Sequence, residues 1–222
     1  DIRKLDPVFE SVTDASILVR YGAIIMCLGS GEETLRALVL RDRIYFVISD
    51  GFDSIITSVR ENLVAAAIGN APVKVEANAG KSPNTTPVKE DGPMGLPFEF
   101  RAIEAFLLTC TDKLRLQTER LTKSIQKLLG QIKSKSMKHR INDEAMQRRM
   151  FQHNEDAQTL INHAGATASA LQDVLDSDED MAYMYLSKLF NNPALFEHED
   201  INAQHEEVEI LLEYYLYEVR GI

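Results

Sequence analysis

The feature that most constrains this chain is a long apolar stripe that begins near its middle. From Ile103 to Ile132, apolar side chains recur at intervals of three or four residues, with one longer gap. That spacing places them on one face of an α-helix. The stripe therefore predicts one long amphipathic helix, with Ile103, Leu107, Cys110, Leu114, Leu121, Ile125, Leu128 and Ile132 facing inward.

Two more helices are predicted after the first. The basic, polar residues 133–140 predict a turn, and a second long helix then runs from about 142 to 175, with Met146, Met150, Leu160, Ile161, Ala164, Ala168, Leu171 and Leu175 facing inward. Asn191-Asn192-Pro193 predicts a break, because proline cannot continue a helix. The last helix is predicted to start near Ile201, with an apolar face made of Val208, Leu211, Leu212, Tyr215 and Val219.

The first third of the chain has a mixed pattern. Residues 17–28 are rich in apolar and β-branched types, which predicts one or two strands around their Tyr-Gly pair. Residues 31–40 carry acidic residues at their start and predict a short helix. The unbroken apolar run within 43–49 predicts a strand covered on both faces.

A helix over 53–69, capped by Asp53 or Ser54, completes this first part. Residues 70–97 hold most of the prolines and predict a flexible loop, with a short strand at 72–77. Because strands come first and long helices follow, the fold class is predicted to be α+β.

Composition limits the classes of function. The chain has 222 residues, 45% of them hydrophobic, which suffices for one large domain or two small ones. A formal net charge of −10 excludes a general nucleic-acid binder, since phosphate requires positive charge. The charge is also segregated: residues 112–149 hold eleven Lys or Arg against four Asp or Glu, whereas the end of the chain is acidic. Such a pattern fits contact between a basic and an acidic helix, and it equally fits two solvated faces.

The cysteines and the absence of long apolar runs limit where in the cell this chain is expected to reside. Cys27 and Cys110 lie in apolar surroundings, which predicts buried thiols and a reducing compartment, although the sequence leaves a disulfide between them open. The sequence contains no run of about 18 apolar residues, so it predicts no membrane span. Because the chain starts at Asp1 and its last helical pattern runs to the final residues, we expect it to be the soluble part of something larger.

The densest acidic group lies at the end of the second long helix and comprises Asp173, Asp176, Asp178, Glu179 and Asp180. Mg²⁺ prefers carboxylates together with retained water, and Asp173 and Asp176, three residues apart, share one helix face. The same group suits helix capping, with Asp176 or Ser177 as the N-cap and the next acids in the positive first turn. Both interpretations stay open, and they are compatible.

A second candidate group, Glu99, Arg101 and Glu104, lies at the start of the first long helix. It predicts either an internal Glu–Arg pair or a contribution of Glu99 to a cation site near the acidic group. His198 and His205 lie among acids later in the chain, but their spacing is not a known zinc-ligand pattern.

The last helix carries a third acidic group, Glu206, Glu209 and Glu213, on the side opposite its apolar face. Such a face is either simply solvated or able to attract cations when several copies are brought together.

Four blocks of sequence carry a family resemblance. They are DIRKLDP at 1–7, PFEFRAIEAFL at 97–107, LDSDEDMAYMYLS at 175–187 and EVEILLEYY at 207–215. Their order and spacing resemble the mitochondrial branch of the CorA magnesium-channel superfamily. The Gly-Met-Asn signature and the two membrane spans of that family are absent from this sequence.

The resemblance implies a particular architecture. Residues 1–100 would form an α/β sandwich with a mixed sheet, and residues 101–222 a helical part that ends in a truncated stalk helix, the two together making one regulatory domain. In the family the last helix continues into the first membrane span, and five copies surround a cation pore.

The resemblance also implies a function without catalysis: the matrix-facing domain of a magnesium channel in the mitochondrial inner membrane. It would gate the pore as a pentamer by sensing weakly bound, regulatory Mg²⁺ through Glu99, Asp173, Asp176, Asp178, Glu179 and Asp180. Its partners would be further copies or a paralogous subunit, and the membrane through spans outside this sequence. The alternatives are a non-catalytic helical scaffold or adaptor and a modulator subunit. No Ser-His-Asp set, Gly-rich phosphate loop or Cys pair supports an enzyme.

Overall fold

A computed structural model describes residues 15–29, 34–47, 53–68, 96–134, 144–194 and 205–222. Within these ranges the chain forms four strands followed by six helices, which confirms the predicted α+β class. The strands are β1 Ser16–Arg20, β2 Ala23–Leu28, β3 Leu35–Val39 and β4 Ile44–Val47. The helices are α1 Asp53–Ile68, α2 Phe98–Ser134, α3 Glu144–Leu175, α4 Asp178–Tyr183, α5 Leu186–Asn191 and α6 Glu206–Arg220.

The sheet begins with a hairpin in residues 17–28, where the sequence predicted one or two strands. β1 and β2 pair antiparallel with Arg20 opposite Ala23, so a two-residue turn joins them. The second turn residue, Gly22, has φ of +76°, a conformation that side chains with a Cβ rarely adopt. The pattern in residues 17–28 therefore encodes two strands.

The predicted short helix at 31–40 is wrong, because its described part contains strand β3. Burial alternates along β3: Leu35, Ala37 and Val39 are buried, whereas the two residues between them are only partly buried. This two-residue period belongs to a strand, and β3 pairs with both β2 and β4. The alternation in Leu-Arg-Ala-Leu-Val was therefore a better guide than the acidic residues that precede it.

The sheet differs from expectation in two further respects. The described strands are antiparallel throughout and follow the order β1-β2-β3-β4, whereas a mixed sheet was expected. The strand predicted at 43–49 exists as β4, but it lies at the edge of this sheet, and Tyr45 is 50% exposed. Full coverage of both faces was therefore a wrong prediction for β4.

Helix α2 follows its predicted stripe closely. The buried members of the stripe in the first half of α2 are Ile103, Leu107, Cys110 and Leu114. This half of the helix packs in the main hydrophobic core, which combines residues of the first three strands with residues of α2, α3 and α6. Cys110 and Cys27 are buried and form no disulfide, and burial raises the pKa of the Cys110 thiol to about 12. At neutral pH this thiol is protonated and chemically inert.

Helix α3 matches its predicted bounds but only part of its predicted inward face. Leu171 is buried in the main core, whereas Met150 is 51% and Ile161 63% exposed. Helix α3 contributes buried residues to this core only near the C-terminal end of the helix, namely Ala170, Leu171 and Val174. The inward positions predicted for Met150 and Ile161 are wrong, because the early part of α3 extends beyond that core.

Helix α6 packs against α2 and α3 through the apolar face that the sequence predicted. Val208, Leu212, Tyr215 and Val219 are buried, and Leu211 is partly buried. At its C-terminal end, Arg220 donates to the Gln172 side chain of α3 (3.0 Å), and Glu218 forms an ion pair with Arg115 of α2. The break predicted near Asn192 is confirmed, since α5 ends at Asn191.

Several predictions fall outside the described residues. They are most of the loop at 70–97 with its short strand, most of the turn at 133–140, and the start of the last helix at 201–204. Within the described helices, none combines the length and apolar character that crossing a membrane requires.

Candidate functional site

The acidic group lies where α3 ends and α4 begins, and we call Asp173, Asp176, Asp178, Glu179 and Asp180 the junction acids. Ser177 is the N-cap of α4: its backbone is extended and its Oγ accepts a hydrogen bond from the Asp180 amide at 3.2 Å. Asp178, Glu179 and Asp180 occupy the first turn, where helix N–H groups favour negative charge. The capping interpretation is thus confirmed, with Ser177 as the cap.

Capping leaves most of the junction carboxylates accessible. Asp173, Asp176, Asp178 and Glu179 are all exposed, and Asp180 is partly buried. Asp176 accepts one hydrogen bond from Gln172 (2.8 Å). Glu179 is hydrogen-bonded to the Tyr183 hydroxyl, which adds to burial in raising the pKa of Tyr183. Oxygens on an exposed carboxylate remain available to solvent or to a cation.

His205 joins the junction acids to the last helix. Its Nε2 lies 3.6 Å from Asp178 Oδ1, and its Nδ1 lies 3.4 Å from Glu209 Oε2. The imidazole is largely buried, while both carboxylates keep substantial exposure. Two groups that are separate in sequence, at the start of α4 and at the start of α6, are therefore adjacent in space.

Glu99 has a different environment. Its side chain is completely buried, and both carboxylate oxygens accept hydrogen bonds from Ser187, one from the backbone N–H and one from the hydroxyl, each at 2.8 Å. The N-cap residue of α5, Tyr185, makes no capping bond of its own, so Glu99 caps α5 from another helix. No ion pair joins Arg101 to Glu99 or to Glu104 within the described ranges, so the predicted internal Glu–Arg pair is wrong.

Glu104, the third member of that predicted group, lies apart in the core. It is 8% exposed, and burial raises the pKa of its carboxyl group. Tyr215 of α6 is close enough for its pKa to be raised by the charge of Glu104, after the larger effect of its own burial. The buried Tyr215 hydroxyl has no hydrogen-bond partner among the described residues.

The positions of these side chains show whether a single chain could bind a metal ion. Within the described part of the chain, no three His, Cys, Asp or Glu side chains are placed so that they could hold a metal together. A dedicated all-protein cage for Mg²⁺ is thus absent from those residues. Mg²⁺ is nevertheless commonly held by one or two carboxylates and several retained waters, and exposed junction acids suit that mode.

The members of the remaining acidic group, on α6, differ in their exposure to solvent. Glu206 and Glu213 are exposed, whereas Glu209 is partly buried beside His205. All three lie away from the buried Val208 and Leu212, as the helical pattern predicted.

Sequence reasoning missed two partners. Ser187 bonds Glu99 across 88 residues, and His205 meets Asp178 across a break between helices. Contacts of this range leave no local periodicity in the sequence. The one available signal was His205 itself, a titratable ring among acids at the start of a helix.

Comparison with known proteins gives a consistent result. A family model described as magnesium transporter MRS2-like matches residues 1–222. The chain is 27% identical over 215 residues to the mitochondrial inner membrane magnesium transporter mrs2 of Aspergillus fumigatus, covering 97% of this chain and 30% of that protein. It is 26% identical over 216 residues to the mitochondrial inner membrane magnesium transporter LPE10 of Yarrowia lipolytica, with 97% and 40% covered.

A third relative is matched over a shorter stretch. The mitochondrial inner membrane magnesium transporter MRS2 of Gibberella zeae is 29% identical over 124 residues, covering 56% of this chain and 21% of that protein. The chain thus spans less than half the length of each of these curated relatives. The match over residues 1–222 confirms the resemblance carried by the four sequence blocks, and the chain belongs to the magnesium transporter MRS2-like family.

Proposed function

We propose that the chain is the matrix-facing regulatory domain of a magnesium channel in the mitochondrial inner membrane, and that it senses Mg²⁺ through its junction acids. Family membership and the names of the relatives support the transport context. The observation that carries the sensing role is the exposure of the junction carboxylates beside the start of α6. The ion is bound weakly and keeps most of its water, because the carboxylates do not converge as a cage.

The proposed coupling to gating is electrostatic. Asp178 and Glu209 flank His205, so charge at the junction acts directly on the first turn of α6. When five copies assemble, their exposed acids, including Glu206 and Glu213, repel one another. Bound Mg²⁺ screens this repulsion and favours the closed assembly, and loss of Mg²⁺ lets the subunits separate and the pore open.

Thermal unfolding of the metal-free chain tests the sensing role. A cation that binds only the folded state stabilises it by about 1.4 kcal/mol at ten times its Kd, which raises the melting temperature of a chain this size by roughly 3–5 °C. We expect MgCl₂ to produce such a rise beyond that of NaCl at equal ionic strength.

Paired variants locate the effect. Asp173→Asn with Asp178→Asn removes two junction charges and should abolish the excess stabilisation by Mg²⁺. Glu144→Gln with Glu155→Gln removes two exposed charges elsewhere on α3 and should preserve it. Equal shifts in MgCl₂ and NaCl, or equal loss in both double variants, would show that the junction acids serve only as caps and solvated groups.

A scaffold or modulator role is the second candidate, and the charge segregation favours it. Part of the basic segment is satisfied within the chain, since Arg115 of α2 pairs with Glu218 of α6. A scaffold would present the remaining basic surface to a partner protein, and its stability would not respond to Mg²⁺ beyond ionic strength. The same melting experiment therefore separates the two functions.

A further inference from the structure

A polar cavity of about 390 Å³ opens between α2 and α3, well away from the junction acids. Its volume lies within the range of small-molecule sites in proteins. Arg120 and Ser124 of α2 face His153, Asp156 and His163 of α3 across it, and two leucines supply apolar wall. Its polar lining comprises a guanidinium, two imidazoles, two hydroxyls, one side-chain amide and one carboxylate. Every one of these groups except the carboxylate can donate a hydrogen bond.

The polar groups inside the cavity are already partly organised. Ser124 Oγ lies 3.1 Å from His153 Nε2, which joins the two long helices, and Asp156 Oδ2 lies 3.7 Å from His153 Nδ1. The order Ser–His–Asp does not make a hydrolase, because 3.7 Å is too long for the orienting hydrogen bond. Backbone N–H groups in the middle of a helix are also committed to the helix, so no oxyanion hole is available.

Charge favours an anion as the occupant. Arg120 forms no ion pair and no hydrogen bond with any residue in the described ranges, so no described side chain competes with a ligand for its guanidinium. Residues 113–133 of α2 carry six Lys or Arg and a single acid. Arg115 pairs with Glu218 and Lys123 with Glu119, and Arg120 is the cation that lines the cavity. A guanidinium on the wall of a concave surface attracts anions. A metal is disfavoured, since the described residues hold no suitable group of three ligands.

We propose that this cavity binds a small phosphate-bearing molecule. Arg120 contacts the phosphate through its planar fork of N–H donors, a geometry that matches phosphate oxygens. Ser124 and His153 add hydrogen bonds on either side of the interhelical gap. Asp156 repels a bare polyanion at its edge of the cavity and accepts hydrogen bonds from hydroxyl groups, which favours a sugar or nucleoside phosphate.

The test is isothermal titration of the 222-residue chain with ADP, and separately with inorganic pyrophosphate, in EDTA and 150 mM NaCl. We expect saturable binding of ADP with Kd below about 1 mM. Arg120→Gln should weaken it at least about fivefold, since it removes a charge-assisted hydrogen bond to the phosphate. Lys127→Gln removes the same charge two helical turns away and should change Kd less than about twofold, because salt screens at that distance.

The contrary outcomes are equally defined. The proposal is overturned if neither ADP nor pyrophosphate binds saturably. It is also overturned if Arg120→Gln and Lys127→Gln weaken binding equally, which would reveal general attraction to a basic helix. Binding only to vesicles that contain phosphatidic acid would assign the surface to lipid and also overturn it. Asp173→Asn with Asp178→Asn should leave ADP binding unchanged, so this proposal and the Mg²⁺-sensing proposal can fail independently.

Discussion

Glu99 and Asp178 are both acids of the predicted metal group, and the structure gives them opposite environments. Glu99 is completely buried, and both of its carboxylate oxygens accept hydrogen bonds from Ser187. The Asp178 side chain is 68% exposed, and its nearest described partner is a histidine nitrogen at 3.6 Å. A carboxylate is therefore not a candidate ligand by identity alone. Burial and existing hydrogen bonds decide whether its oxygens can reach a hydrated cation.

The difference has an energetic origin. A buried carboxylate must be satisfied within the protein, because its transfer from water is costly, and Ser187 does this for Glu99. The Asp178 carboxylate keeps its hydration and loses little when a cation and its waters approach. We therefore expect Glu99 to contribute to stability and Asp178 to respond to ions. The metal role of Glu99 remains a prediction, and its environment argues against it.

The largest effect is expected from Glu99→Ala. It removes two charge-assisted hydrogen bonds and leaves the partly buried Ser187 amide without its acceptor, at a cost of about 3 kcal/mol. Urea unfolding measures this loss. Asp173→Ala, on an exposed surface of α3, serves as the control and should change stability by less than about 0.5 kcal/mol. Similar losses in the two variants would remove the contrast.

A smaller effect is expected from Ser187→Ala, which removes one of the two bonds and retains the backbone N–H. We expect a loss of about 1.5 kcal/mol in the same assay. Combined with Glu99→Ala, the two losses should not add, because both remove the same contact. Strict additivity in this double-mutant cycle would mean that the two side chains do not interact in solution.

Ser177→Ala should cost about 1 kcal/mol, the usual value for an N-cap serine. This change deletes the α4 cap but leaves every junction carboxylate in place. If capping and sensing are separate roles, Mg²⁺ should stabilise the variant and the parent chain equally. A lost Mg²⁺ response in thermal unfolding would show that the cap and the sensor cannot be separated.

The smallest effect concerns Glu104 and depends on pH. Burial raises the pKa of Glu104 in the folded chain above its unfolded value. Its contribution to stability is therefore fully present below the unfolded pKa and is lost as pH rises through the folded pKa. Glu104→Gln should gain stability relative to the parent chain as pH is raised from 4 to 8 in urea unfolding. A constant difference between them across that range would contradict the assignment.

The helices were predictable because their information is local. Apolar residues such as Ile103 and Leu107 repeat with the helical period, and the first turns of α2 and α3 lie within a few residues of their predicted starts. Strand β3 was missed although its alternation was visible, since Glu32 and Glu33 suggested a helix start. Met150 was misplaced because periodicity identifies a face but not how far the core extends along it.

The candidate site was predictable only in part. The acidic run and the Ser177 cap are local features, and both were present in the sequence. The burial of Glu99 depends on Ser187, and the environment of Asp178 on His205, which are tertiary contacts without a local pattern. The sequence thus identified the candidate carboxylates, and the fold determines which of them are accessible.

The most direct test of this contrast is a Mg²⁺ titration followed by amide NMR of the isotopically labelled chain, at constant ionic strength. We predict saturable shifts at Asp178 and Glu179, and at Glu209 through its contact with His205. The Ser187 amide, held by Glu99, should not move. Shifts at Ser187 that saturate together with those at Asp178, or no Mg²⁺-specific shifts at the junction acids, would contradict the account.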